Sequence, residues 1–227
     1  MIIAKFIAVV IIGYLLGSIP FGVLIGRRVA KVDVRNYGSG KIGTTNVLRV
    51  AGKKAAALVI ILDIAKGGVA VLLARHVFGE YLLIPGSDLW WRVSAPAAAA
   101  LAAMAGHNWS VFLKFQGGRG VATFFGGLIA LCPVAALFGG EMVVMGAGLT
   151  RFVSLGSIAG AVGTYTVLMP LTILHGFPIE YLSYTLIGTI AIIVMHRDNI
   201  GRLLAGKERK LGEKAEKVGS PPSKSMG

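Results

Sequence analysis

Residues 121–149 read VATFFGGLIALCPVAALFGGEMVVMGAGL, with Glu141 as the one charged side chain in the run. A stretch so long and so apolar belongs in hydrocarbon, where roughly 20 helical residues cross the core at about 1.5 Å each. It can be one tilted helix, or two short helices broken at Cys132-Pro133, where proline removes an amide donor. The choice decides on which side of the membrane everything after it lies.

The rest of the chain has the same character. Of 227 residues, 55% are hydrophobic and 15% charged, 32 are glycine, and the mean hydropathy is +0.75. So little charge cannot cover a soluble surface, which makes this an all-α integral membrane protein. The balance of 23 Lys+Arg against 10 Asp+Glu, a formal +13, would otherwise suggest nucleic acid. A nucleic-acid groove needs a soluble basic surface interleaved with aromatics, which this sequence lacks, so no nucleic-acid partner is expected. Cys132 is alone, which excludes an intrachain disulfide, and it reads as a small buried hydrophobe. Four scattered histidines and that cysteine offer no ligand spacing, so neither a metal nor another cofactor is expected.

Spans are expected at Lys5–Gly26, Ala55–Phe78, Val93–Gly106, Ser154–Leu174 and Tyr181–Met195, with 121–149 supplying one or two more. The first is too long for a cleaved signal peptide, and Arg27-Arg28 follow it directly. Residues 27–54 carry eight cations (Arg27, Arg28, Lys31, Arg35, Lys41, Arg49, Lys53, Lys54) and one acid, Asp33, whereas residues 75–92 carry two of each sign. The positive-inside rule puts the first loop in the cytoplasm and the N-terminus outside. Two helices in 121–149 then leave Lys114, Arg119, Arg151 and the basic C-terminus cytoplasmic. A single helix would send Arg151 and the eight Lys+Arg from Arg197 onward to the outer side. The reading is therefore about seven transmembrane helices, N-terminus outside and C-terminus cytoplasmic. Residues 1–205 form a single polytopic membrane domain without a repeat, and 206–227 form a mobile basic cytoplasmic tail.

This parity gathers three polar clusters on one face. The first is Gly38-Ser39-Gly40-Lys41-Ile42-Gly43-Thr44-Thr45-Asn46, then Arg49. Its glycines can turn backbone N–H groups inward, and such a loop opening a helix cradles an anion. It is no Walker A loop, because Arg35 and Ile42 stand where that pattern needs Gly and Ser or Thr. Taken alone, it also reads as a flexible interhelical connection. The second cluster is Gly106-His107-Asn108-Trp109 with Phe115-Gln116-Gly117-Gly118-Arg119-Gly120-Val121-Ala122-Thr123. Here glycines surround a guanidinium whose planar fork suits phosphate, although His107 and Trp109 also suit an interfacial anchor. The third is His196-Arg197-Asp198-Asn199-Ile200, with Arg202 and Glu208. Helical spacing puts His196 and Asn199 on one face.

Asp63 and Lys66 lie inside the second span at a spacing that lets them pair. Ionisable groups at such depth face a bundle interior or a wet cavity. A structural ion pair and a direct role are both open, as they are for Arg151 beside Ser154 and Ser157.

In these three loops the chain resembles the bacterial acyl-phosphate-dependent glycerol-3-phosphate acyltransferases of the PlsY type. The matching stretches are Gly38–Arg49, Gly106–Thr123 and His196–Leu203, joined by Ser18-Ile19-Pro20-Phe21-Gly22, by Asp63 with Lys66-Gly67, and by Arg151-Phe152-Val153-Ser154-Leu155. Departures are Lys41 for the usual Asn, Thr44 for Ala, and Gln116 and Arg119 for Lys. The resemblance implies transfer of a fatty acyl group from acyl phosphate to the sn-1 hydroxyl of glycerol 3-phosphate. The products would be lysophosphatidic acid and phosphate, in the first acylation of phospholipid biosynthesis at the cell membrane. It also implies contact with membrane lipid and interplay with the enzyme that forms acyl phosphate.

An acyl phosphate is already activated, so no acyl-enzyme is required. What remains is positioning, stabilisation of developing charge and removal of one proton. The catalytic set implied is His196, Asn199, Ser39 and Arg49. Backbone N–H groups of Gly43, Thr44 and Thr45 would face the acyl phosphate, and the binding set extends to Gly40, Asn46, His107, Gly117, Gly118, Arg119 and Gly120. His196 is the candidate general base; the rival is a substrate phosphate oxygen taking the proton while His196 orients. No His-x4-Asp pair of the thioester-using acyltransferases is present. The reading from another class is a transporter of a phosphorylated anion, which would typically show an internal repeat and a midplane site.

Overall fold

The computed structural model describes residues 2–79, 89–213 and 215–218. Among them every regular element is helical: α1 (Ile2–Ser18), α2 (Phe21–Ala30), α3 (Thr44–Phe78), α4 (Leu89–Asn108), α5 (Val121–Leu131), α6 (Pro133–Thr150), α7 (Val153–His175), α8 (Ile179–Met195) and α9 (Arg197–Leu204). The stretch 121–149 resolves into α5 and α6, with Cys132 in a non-helical conformation (φ −146°, ψ 88°) between them and Pro133 opening α6. Proline is tolerated there because a first-turn amide has no intrahelical acceptor.

Four stretches are long and apolar enough to cross a membrane: α1 with α2, α3, α6 and α7. A fifth is added if α8 and α9, bent by 59°, count as one. At 11 residues, α5 spans only about 16 Å, and most of its residues are buried in the bundle.

Two breaks position the site. Where Pro20 ends α1, the Ser18 carbonyl accepts from Ser110 Oγ at 2.6 Å, and the Ile19 carbonyl accepts from both the Phe21 amide and Lys66 Nζ at 3.1 Å. Gly52 (φ 84°, ψ 179°) kinks α3, so that Thr44–Ala51 is a separate helical opening ahead of the span.

The helices approach closely through small residues, as expected where lipid removes the hydrophobic drive for association. A methyl group at Gly17 would overlap the Ala103 carbonyl oxygen, one at Gly126 the Ile64 carbonyl oxygen, and one at Gly160 the Val143 side chain. These contacts bind α1 to α4, α3 to α5 and α6 to α7. Phe124 of α5 stacks on Tyr184 of α8 at 5.2 Å, and the Tyr184 hydroxyl donates to the Phe124 carbonyl at 2.7 Å. At the opposite end from the motifs, Phe6, Trp90 and Trp91 form an aromatic cluster of the kind found at membrane interfaces. There Arg75 Nη2 donates to the Tyr181 hydroxyl at 3.2 Å.

Candidate active site

The first loop is built around a side chain that spends its polar capacity on the backbone. Asn46 Nδ2 lies 2.8 Å from the Val34 and Lys41 carbonyls and 3.1 Å from that of Tyr37, while Oδ1 accepts the Ser39 N–H at 3.1 Å. A Cβ on Gly38 (φ 58°) would strike that same Oδ1, so the position has no room for a side chain. Upstream, Asp33 accepts from the Arg35 amide and guanidinium and from Arg27. The Arg35 side-chain hydrogen bonds are the main reason its carboxyl is held far below the usual carboxylate range. The loop thus delivers Gly43 as N-cap of α3, and the amides of Gly43, Thr44 and Thr45 have no backbone acceptor among the described residues.

The second loop folds back on the end of α4. The Gly118 amide donates to the His107 carbonyl at 2.9 Å and the Gly117 amide to the Asn108 carbonyl at 3.1 Å. A Cβ on Gly118 would overlap the His107 ring. Arg119 is thereby turned inward. Burial, and next the charge of Arg202, lower its pKa to about 10, so it stays cationic at neutral pH.

The third cluster sits at the bend between α8 and α9. His196 Nδ1 lies 2.8 Å from the Ile192 carbonyl. A carbonyl only accepts, so Nδ1 bears the proton and Nε2 carries the lone pair. Burial, followed by the Arg119 charge, lowers the His196 pKa to about 4, and the ring is neutral at working pH. Asn199 Nδ2 donates to Glu208 Oε1, which also accepts Ser154 Oγ at 3.0 Å; Arg202 Nε donates to Oε2 at 2.8 Å. With its amide nitrogen committed to a carboxylate, Asn199 presents Oδ1 as a free acceptor.

The composition of the chain after 205 suggested a mobile tail, yet its described part lies against the site. The Leu211 amide donates to the Arg151 carbonyl at 2.7 Å and Arg151 Nη2 returns a bond to the Leu211 carbonyl at 3.1 Å. Arg49 Nη2 donates to the carbonyls of Arg209 (3.4 Å) and Lys210 (3.2 Å). Farther on, the Gly38 amide donates to the Glu216 carbonyl and the Val218 amide to the Asn36 carbonyl. These bonds make residues 207–213 and 215–218 a strap from α9 to the first loop.

All three motifs open on one cavity of about 500 Å³. Ser39, Gly43, Thr44, Thr45, Arg49, His107, Arg119, Gly120, His196 and Asn199 line its polar end, and Ile60, Ile64, Phe125, Ile129, Ala136, Gly140 and Val144 its apolar end. Among the described residues, buried polar atoms there without a hydrogen-bond partner include Thr44 Oγ1, Arg49 Nε, Arg119 Nε and Asn199 Oδ1, besides Asp63 Oδ1 and His107 Nδ1, which face each other at 3.6 Å. A family model described as Glycerol-3-phosphate acyltransferase matches residues 7–206. The chain belongs to the glycerol-3-phosphate acyltransferase family. It is 60% identical to "Glycerol-3-phosphate acyltransferase 3" of Dehalococcoides mccartyi over 95% of this chain and 100% of that one. Against the glycerol-3-phosphate acyltransferase of Thermus thermophilus the identity is 44%, covering 91% and 95%. A crystal structure of PlsY (YgiH), an integral membrane glycerol 3-phosphate acyltransferase in its glycerol 3-phosphate form, superposes with a TM-score of 0.76. That pair is 38% identical, over 91% of this chain and 96% of the other. Its lysophosphatidic acid form superposes equally well at 36% identity.

Within this family frame, the geometry separates residues that the sequence reading grouped together. Asn46 borders the cavity but its side chain holds the loop. Gly40 and Gly117 border a second, polar recess with Arg35, Asn36, Lys41 and Gln116, and Gly118 lies against His107. The Asp63–Lys66 pair is buried at 2.8 Å, with Asp63 on the cavity wall and 3.6 Å from His107 Nδ1, and Lys66 tied to Ile19. Ser154, Ser157 and Glu208, noted in the sequence without an assigned role, line the cavity, and Arg209, which no motif marks, joins them.

Proposed function

We propose that this chain transfers a fatty acyl group from acyl phosphate to the sn-1 hydroxyl of glycerol 3-phosphate, releasing lysophosphatidic acid and phosphate. The observation that carries this is the cavity itself, with buried, unpartnered donors from separate loops at one end and a wall of apolar side chains at the other. A phosphorylated head and a fatty chain match those two ends. The names of the relatives and the two PlsY crystal forms support glycerol 3-phosphate as acceptor.

In the reaction the sn-1 oxygen bonds to the acyl carbonyl carbon, the carbon–oxygen bond to phosphate breaks, and one proton leaves the hydroxyl. The first-turn amides of α3 would hold the acyl phosphate, and Arg49 and Arg119 the second phosphate. Asn199 Oδ1 and His196 Nε2 would accept from the glycerol hydroxyls. Burial and the neighbouring Arg119 charge weaken His196 as a proton acceptor, which favours a substrate phosphate oxygen as base with His196 Nε2 orienting the hydroxyl. Ser39 has no hydrogen bond to a histidine among the described residues, in keeping with direct transfer.

We further place about seven helical segments across the bilayer, with α4 and α5 included and the motif-bearing end in the cytoplasm, on the charge asymmetry of the loops. Residues 1–205 would be the membrane domain and the strap its cytoplasmic closure. The test is purified protein with synthetic acyl phosphate. Phosphate release that depends on glycerol 3-phosphate, with lysophosphatidic acid formed in equal amount, is the expected result. Donor turnover with palmitoyl thioester alone would overturn the assignment of donor.

A further inference from the structure

The strap after α9 begins where the family model ends, at residue 206. We propose that Arg209, carried on this strap, is a further substrate-binding residue that takes the phosphate of glycerol 3-phosphate. The inference rests on the proposed acyl transfer.

The position of Arg209 is set by backbone bonds on both sides of it. The Lys207 amide donates to the Arg202 carbonyl at 2.8 Å, and the paired bonds between Leu211 and Arg151 fix the other side. Glu208 points to Ser154, Asn199 and Arg202, and Arg209 lines the same cavity. Arg209 is half-buried as a residue, its side chain makes no ion pair or hydrogen bond among the described residues, and its charge acts repulsively on Arg49. Lys207 and Lys210 on the same strap are exposed.

The polar end therefore gathers Arg49, Arg119 and Arg209, with Arg202 behind Glu208; of the two lining carboxylates Asp63 is already paired with Lys66, which leaves Glu208, while Glu213 and Asp198 act on Arg49 and Arg119 from outside the lining. Like charges held together in a partly desolvated wall are unfavourable unless an anion joins them. A phosphate dianion meets that condition, and an arginine fork suits its oxygens.

The experiment compares the full chain with Arg209→Ala, Arg209→Lys and the control Lys207→Ala, in detergent. Arg209→Ala is expected to raise the KM for glycerol 3-phosphate about tenfold, with kcat and the KM for acyl phosphate nearly unchanged. Arg209→Lys should recover part of the loss, and Lys207→Ala should match the parent. Calorimetric titration with glycerol 3-phosphate should weaken by the same factor in Arg209→Ala, at an unchanged thermal midpoint. An unchanged KM and affinity in Arg209→Ala would overturn the proposal, as would an equal rise with Lys207→Ala. If the parent releases no phosphate, the acyl-transfer reading fails, and the titrations still decide whether Arg209 binds the phosphate.

Discussion

The amide nitrogen of Asn199 donates to the carboxylate of Glu208, nine residues further along the chain. That bond fixes which way the Asn199 amide faces, and it recruits a charged residue from outside the glycine-rich loops. With Ser154 and Arg202 on the same carboxylate, Glu208 ties α7, α9 and the strap together.

Glu208→Gln should therefore act beyond its own position. The substituted amide no longer enforces the Asn199 orientation, and one charge-assisted bond to Arg202 is lost. Such bonds contribute about 1.5 to 3 kcal/mol, so kcat/KM should fall about 10- to 100-fold, read from phosphate release against glycerol 3-phosphate.

His196 gives a prediction in pH. Its folded-state value of about 4 lies below the ordinary 6.5, so below pH 6.5 the unfolded chain takes up a proton that the folded chain does not. Its contribution to stability is fully present above pH 6.5 and falls as pH drops toward 4. His196→Gln should flatten the thermal-midpoint profile across that window. In the same variant, a raised KM for glycerol 3-phosphate with measurable kcat fits orientation of the hydroxyl. A loss of kcat beyond about a thousandfold would instead restore the general-base role.

The buried Asp63–Lys66 pair predicts a non-additive series. Lys66→Met leaves Asp63 without its ammonium partner and removes one of the two donors to the Ile19 carbonyl, a loss of about 3 to 5 kcal/mol. Asp63→Leu combined with Lys66→Met should recover much of the midpoint in a thermal unfolding assay, because no lone charge remains buried.

Gly140 lines the apolar end of the cavity, and a Cβ there meets nothing within 4 Å. Gly140→Phe should thus fold normally and intrude on the acyl chain. Its kcat/KM should drop more for long-chain than for short-chain acyl phosphates when the donors are compared one by one.

Much of the architecture can be read directly from the residues. The break at Cys132-Pro133, the span from Ala55 and the three loops all follow from local rules: proline lacks a donor, charge avoids hydrocarbon, and glycine permits turns. Charge asymmetry gathered the three loops at one membrane face, and the resemblance to the acyltransferase family singled out Ser39, Arg49, Arg119, His196 and Asn199 within them. Local rules could not tell a ligand-facing amide from a structural one. Asn46 and Asn199 look alike in sequence, yet one is consumed by three carbonyls and the other keeps an acceptor toward the cavity.

The strap shows the same limit more sharply. Its charged, Gly-containing composition predicts mobility, because too little apolar surface is available to offset the entropy of ordering. Tertiary structure supplies what composition lacks: acceptors and donors on Arg49, Arg151, Ser154 and Asn199 that exist only after the helices have assembled. Helices, breaks and polar clusters depend on neighbours within a few residues, and so are written locally. Which polar atom faces the substrate depends on partners 9 to 160 residues away, and only folding brings them within hydrogen-bonding distance.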